Sequence, residues 1–150
     1  MPEKYWDDFA AGEKIVTQGV TITEAHAVKW AGLTMDFYPI HVDKEYAAKT
    51  VFGERLVHGP LTFALAVGLM AQTNYAKDSV IAWLGVGELR ALAPVKIGDT
   101  IHLEAEIVEL RETKKPEQGY CRMRYDIVNQ RSERVMTFDM KFVMHKRVAN

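Results

Sequence analysis

Cysteine is almost absent from this chain. Cys121 is the only one in 150 residues, so no internal disulfide can form. A reducing compartment, the cytoplasm, is therefore the expected location. An excess of charge of either sign is lacking too: 19 Lys and Arg against 20 Asp and Glu leave a formal net charge of -1. That balance excludes the electrostatic footprint of a nucleic-acid binder, and His145-Lys146-Arg147 reads as a solvated terminus. Long apolar runs are missing as well. The longest, Leu61 to Ala71, falls short of the ~20 residues that span a bilayer, so no membrane partner is expected. The first residues, "MPEKYWDDFAAGEK", hold no signal-peptide core. No repeat, low-complexity tract or linker breaks the chain, and a single domain over residues 1–150 is expected.

Several kinds of chemistry are excluded in the same way. The histidines are His26, His41, His58, His102 and His145, and no pair has a zinc-ligand spacing. No metal is expected. There is no Gly-x-Ser-x-Gly elbow, no phosphate-cradling Gly-Lys-Ser/Thr loop and no Gly-x-Gly-x-x-Gly after a strand. Gly85-Val86-Gly87 lies inside a strand pattern, where close backbone approach is the better account.

What is present is periodicity. Ile15 to Ile22 reads as a strand interrupted by Gly19. Thr23 is placed to cap a helix over Glu24 to Ala31, ended by Gly32. Pro39 pushes Tyr38 towards extended geometry and interrupts helix, and Lys44 to Lys49 forms a second short helical piece. "PLTFALAVGLMAQ", from Pro60, is apolar on nearly every face and predicts a buried helix. Val80 to Val95 is apolar on both alternating sets, which predicts a strand covered on both faces. In the next strand Ile101, Leu103, Ala105 and Ile107 alternate with polar residues until Val108, a candidate bulge. Cys121, Met123, Tyr125 and Ile127 form the next inward set, then Met136, Phe138, Met140, Phe142 and Met144. "KKPEQG" and "NQRSER" read as hairpin turns. The layout is α+β: a curved antiparallel sheet wrapped around one long buried helix, which is the hot-dog fold. Its long edges, one of them apolar, predict a homodimer joined edge to edge, with a trimer of dimers as the larger alternative.

Three features can carry chemistry. Asp36 and His41 stand five positions apart in "DFYPIH", and "VHGPL" places Gly59 at or beside a helix start, with Pro60 suited to the first helical position. Helix starts present unpaired donors and partial positive charge, the makings of an oxyanion hole. Each feature also has a plain structural reading: Gly-Pro merely begins a helix, Asp36 is a turn residue, and His41 is a satisfied histidine. Together they weigh more. A carboxylate and an imidazole can share one water, one removing a proton and the other delivering one.

The run "AGLTMDFYPIHVDKEYAAKTVFGERLVHGPLTFAL" resembles the MaoC-like dehydratases, the hot-dog family of (R)-specific enoyl-CoA hydratases. The family pattern is an Asp, then Pro-Ile/Leu-His-x-Asp, then Phe-Gly, then a helix beginning His-Gly. Asp36, Pro39-Ile40-His41-Val42-Asp43, Phe52-Gly53 and His58-Gly59 match it in order. The later "RALAPVKIGDTIHLEAEI" also looks like the family's strand region. The resemblance implies Asp36 and His41 as the pair that activates water, and the Gly59 N–H as the donor to a thioester carbonyl. It implies Tyr38, Pro39, Phe52, His58 and Thr62 as substrate contacts. The substrate would be an acyl chain on coenzyme A or acyl carrier protein, coenzyme A being part of the substrate and no separate cofactor being needed.

Two positions depart from the pattern. Many members carry Asn where Tyr38 stands, and a hydratase subset has Ser on the helix where this chain has Val67. Two alternatives stay open: a hot-dog acyl-CoA thioesterase, and a non-catalytic subunit that binds acyl thioesters.

Overall fold

The structure, a computed structural model, describes residues 4–147. Side-chain alternation builds its sheet. β4 (Thr100–Glu112) buries Ile101, Leu103, Ala105 and Ile107; β5 (Gln118–Asn129) buries Cys121, Met123, Tyr125 and Ile127. β6 (Arg134–His145) buries Met136, Phe138, Met140 and Met144, with Phe142 partly buried. These are the sets that the period predicts. The register slips between Ile107 and Glu109, so Val108 is the bulge. The expected first strand divides into β1 (Lys14–Val16) and β2 (Val20–Thr21), both antiparallel to β4. Gly19 lies between them because a side chain there would press on Thr100 Cγ2, 3.3 Å from an added Cβ. With β3 (Val80–Ala91) the sheet runs β1-β4-β5-β6-β3.

Among the described residues a short 3-10 helix, Trp6–Asp8, and four α-helices precede β3: α1 (Glu24–Thr34), α2 (Pro39–Val42), α3 (Lys44–Ala47) and α4 (Gly59–Gln72). α1 continues through Gly32, where the sequence predicted its end. The stop is Met35, left-handed at φ 65°, whose N–H returns to the Ala31 carbonyl at 2.8 Å. α3 also differs from its predicted span, ending at Ala47 as Lys49 and Thr50 donate to the carbonyls of Tyr46 and Ala47. α4 is the central helix of a hot-dog fold. Leu61, Ala66 and Leu69 join the sheet's buried residues in one core.

The expectation of a helix buried all round holds only in part. Val67 and Gly68 are exposed, and one side of α4 borders an apolar cavity of about 630 Å³. Phe63, Val67 and Met70 line it from the helix, and Tyr125, Met140 and Trp83 from the sheet. β3 corrects a second expectation. It is an edge strand, and Trp83 (56%), Leu84 (54%) and Leu89 (53%) are exposed rather than covered. Val86 packs partly on the core, while Val80, Ile81, Trp83, Leu84 and Leu89 are exposed. No helix among them is long and apolar enough to cross a membrane.

Asp139 is buried on β6 and lies between two arginines of β5. Arg122 Nη1 donates to it at 2.8 Å, and Arg124 Nε donates to its other oxygen. Burial alone would raise the carboxyl; the two guanidinium groups outweigh it and hold Asp139 below its usual range. A carboxyl lowered in the folded state stabilises fully above its unfolded value of about 3.9, and that stability is lost as pH falls through the folded value. Asp139→Asn is expected to cost about 3 kcal/mol at pH 7 in urea unfolding. The variant is also expected to show a shallower loss of stability on acidification below pH ~4.

Candidate active site

The left-handed turn at Met35 delivers Asp36 just beyond α1. Pro39 then opens α2 at its first position, where a missing N–H costs nothing. Tyr38 is extended, as the proline requires, and the single turn that follows carries His41. A second segment closes on this turn. Leu56 donates its N–H to the Ile40 carbonyl at 3.1 Å, and its own carbonyl accepts from His41 Nδ1 at 2.9 Å. That segment is anchored on both sides: Val57 N–H bonds the Val95 carbonyl at 2.8 Å, and Arg55 makes a two-pronged pair with Glu24 of α1.

His58 follows directly, fully buried, as the residue that precedes the first turn of α4. Its Nε2 donates to the backbone carbonyl of Asp36 at 3.0 Å. Its ring stacks on His41, with centroids 3.9 Å apart and planes 25° apart. A carbonyl only accepts, so His41 carries its proton on Nδ1 and His58 on Nε2. The neutral His41 ring therefore presents Nε2 as a lone pair. Asp36 Oδ1 and His58 Nδ1 are buried and have no hydrogen-bond partner among the described residues. One side-chain atom each of Asp36, His41 and His58 lies within 4.8 Å of the others.

Two histidines and a carboxylate so close are a possible metal set, which the sequence spacing did not suggest. The stacking argues against it. A single ion must lie in the plane of both rings at about 2.0–2.1 Å from each nitrogen. Stacked rings with centroids 3.9 Å apart and planes inclined by only 25° have planes that meet well beyond that distance. In this arrangement the cluster is a set of acceptors facing one another.

The donor stands next to it. Gly59 is the first residue of α4, and no hydrogen bond among the described residues takes its N–H. No side chain caps the helix, because the His58 ring is committed to Asp36. Gly59 itself is exposed, and a Cβ added there would meet nothing within 4 Å.

The remaining expected contacts separate. Tyr38 is 73% exposed, and with Asp36 and Phe37 it lines an open depression of about 440 Å³. Pro39 and Phe52 are exposed and do not line it. Thr62 is buried and its hydroxyl donates to the His58 carbonyl at 3.2 Å, back into the helix. Val67 borders the larger cavity, whose lining includes none of Asp36, His41 or Gly59. Sequence reading missed Leu56, which acts through its backbone. It also missed the place of His58 inside the acid-base cluster.

Residues 8–126 match the model of the MaoC like domain. The chain belongs to the MaoC-like family. This MaoC-like domain is 40% identical over 100 residues to protein MaoC of Klebsiella aerogenes, covering 67% of this chain and 29% of that protein. It is 39% identical over 90 residues to an (R)-specific enoyl-CoA hydratase of Aeromonas caviae, covering 60% and 65% of the two. The chain thus spans less than a third of the first relative and just under two thirds of the second. Among solved structures, a monoamine oxidase regulatory protein from Archaeoglobus superposes with a TM-score of 0.92 at 37% identity, covering 97% of each chain.

The exposure of Tyr38 makes this departure from the pattern testable. Tyr38→Asn is expected to change stability by no more than about 0.5 kcal/mol in thermal unfolding, as for an exposed position. Thr62→Val, which leaves the protein one buried hydrogen bond short, is expected to cost about 1 kcal/mol in the same measurement.

Proposed function

We propose that the protein reversibly hydrates a trans-2-enoyl thioester to the 3-hydroxyacyl thioester. The observation that carries this reading is the clustering of Asp36, His41 and His58, one ligand atom of each within 4.8 Å of the others, with His58 directly preceding Gly59, whose N–H takes no bond among the described residues. The hydratase name of the Aeromonas caviae relative supports it. One water donates its hydrogens to Asp36 and His41, which turns an oxygen lone pair towards the β-carbon. The oxygen–carbon bond forms as the acid-base pair removes a proton from the water. The double-bond electrons move towards the thioester carbonyl, and the Gly59 N–H stabilises the enolate oxygen. The proton then passes from the pair to the α-carbon on the same face, which completes the addition of one water.

The thioester is carried on coenzyme A or on acyl carrier protein, and no further cofactor enters the balance. The acyl chain follows α4. Gly59, Phe63, Val67 and Met70 succeed one another on one side of the helix at spacings of four, four and three, and the last three line the apolar cavity. A homodimer built on the β3 edge supplies cover for Trp83, Leu84 and Leu89, and a trimer of dimers extends the same reading.

Incubation with a panel of trans-2-enoyl-CoA substrates is expected to bleach the conjugated chromophore and yield 3-hydroxyacyl-CoA. Asp36→Asn and His41→Ala are each expected to lower turnover by ~10²–10⁴-fold while circular dichroism stays that of the folded protein. Release of free thiol in place of hydration would identify a thioesterase. Unchanged turnover in both variants would remove Asp36 and His41 from the chemistry.

A further inference from the structure

We propose that His58 is a positioning residue for this hydration, one that holds Asp36, His41 and Gly59 in a single geometry and offers the attacking water a third acceptor. The inference rests on the roles of Asp36 and His41 proposed above.

His58 is fully buried, and each of its three connections reaches a different part of the site. Nε2 donates to the Asp36 carbonyl at 3.0 Å, a bond across 22 residues that ties the acid's backbone to the start of α4. The ring face packs on His41 with centroids 3.9 Å apart, which together with the bond to Leu56 fixes the plane of the His41 imidazole. The His58 carbonyl accepts the Thr62 N–H at 3.0 Å and the Thr62 hydroxyl at 3.2 Å. The first turn that carries Gly59 is therefore fastened to the same residue. Thr62, expected from the sequence to touch substrate, instead holds His58.

Its fourth group is the unusual one. Nδ1 has no partner among the described residues although the residue is fully buried, and an unpaired buried acceptor is costly. With Nε2 protonated, Nδ1 is a bare lone pair, and the buried Asp36 Oδ1 is an acceptor without a partner as well. Asp36, His41 and His58 each bring a ligand atom within 4.8 Å of the others, and facing acceptors repel unless a donor lies between them. A water supplies two O–H bonds, and together with His41 Nε2 it has three acceptors to choose from. His58 Nδ1 can hold the water before attack, and it gives way when Asp36 and His41 take both hydrogens.

The test uses the full chain with trans-2-enoyl-CoA substrates. Three variants are compared, with Asp36→Asn as the control. His58→Phe keeps the ring stack and removes both nitrogens. It is expected to lower kcat ~10²-fold, the effect of a small misplacement of reacting groups, with KM changed less than about threefold. His58→Gln keeps an N–H donor at the reach of Nε2 and is expected to recover about tenfold of that loss. His58→Asn is too short to reach the Asp36 carbonyl and is expected to recover none. If His58→Phe fails to fold, the comparison of Gln with Asn decides. Equal kcat in those two variants, or wild-type kcat in folded His58→Phe, would overturn the proposal. Nitrogen-15 NMR gives a readout independent of turnover: His58 is expected as the Nε2–H tautomer, and an Nδ1–H tautomer would also overturn it. Full turnover in Asp36→Asn would instead overturn the reading on which it rests.

Discussion

Two backbone carbonyls, those of Leu56 and Asp36, decide which ring nitrogens of the site carry protons, and the rest of the arrangement depends on that choice. Leu56 accepts from His41 Nδ1 at 2.9 Å and Asp36 accepts from His58 Nε2 at 3.0 Å. Each bond leaves the other nitrogen of its ring as an acceptor, so the cluster takes hydrogens and gives none while both rings are neutral. Side-chain identity at position 56 is irrelevant to this; what matters is where the backbone runs. The Ile40, Val95 and Glu24 contacts hold that path in place.

The sheet was legible in the sequence because alternation is a local property. Each strand's buried set in β4 and β5 is the set its period predicts, and the bulge at Val108 shows as a break in that period. The end of α1 was not legible. Gly32 is the residue that usually stops a helix, yet the left-handed conformation falls at Met35, a residue with no preference for it. Gly32 meets no neighbour that would force a break there, so the helix continues until the chain must turn to bring Asp36 inward. The acid, the imidazole and the helix-start glycine were visible as a set. Leu56 was invisible because a carbonyl leaves no mark on residue type. The His41–His58 stack was invisible because it joins residues 17 positions apart through a loop of no regular period.

β3 illustrates how a sound pattern can receive the wrong environment. A strand apolar on both faces is ordinarily central, but here it closes the sheet at one edge. A soluble edge is normally blunted with charge or proline, whereas this one carries Val80, Ile81, Trp83 and Leu84 in near succession. The exposed apolar side chains of Leu33, Met35, Phe37 and Val51 repeat the pattern near the active site. Scattered apolar residues on a surface need no explanation, but a whole edge strand of them does. The physical cost of leaving it in water is what motivates the proposed homodimer.

The polarity of the site then follows from its two supports. On one side stand acceptors, the Asp36 carboxylate and two imidazole lone pairs; Asp36 Oδ1 and His58 Nδ1 are buried, and both rings are held by backbone carbonyls. On the other stands a donor, the Gly59 N–H, reinforced by the partial positive charge of the α4 start. A water requires acceptors for its hydrogens, and an enolate oxygen requires a donor. A conjugated thioester places its electrophilic β-carbon and its carbonyl oxygen at opposite ends of one short planar unit, so both needs arise together. Neither half suffices alone: acceptors without the donor would hold water beside an unpolarised double bond, and the donor without acceptors would polarise a carbonyl with no nucleophile in place. His58 adjoins both halves, its ring among the acceptors and its carbonyl in the first turn of α4, which is why the separation between them is set by one residue.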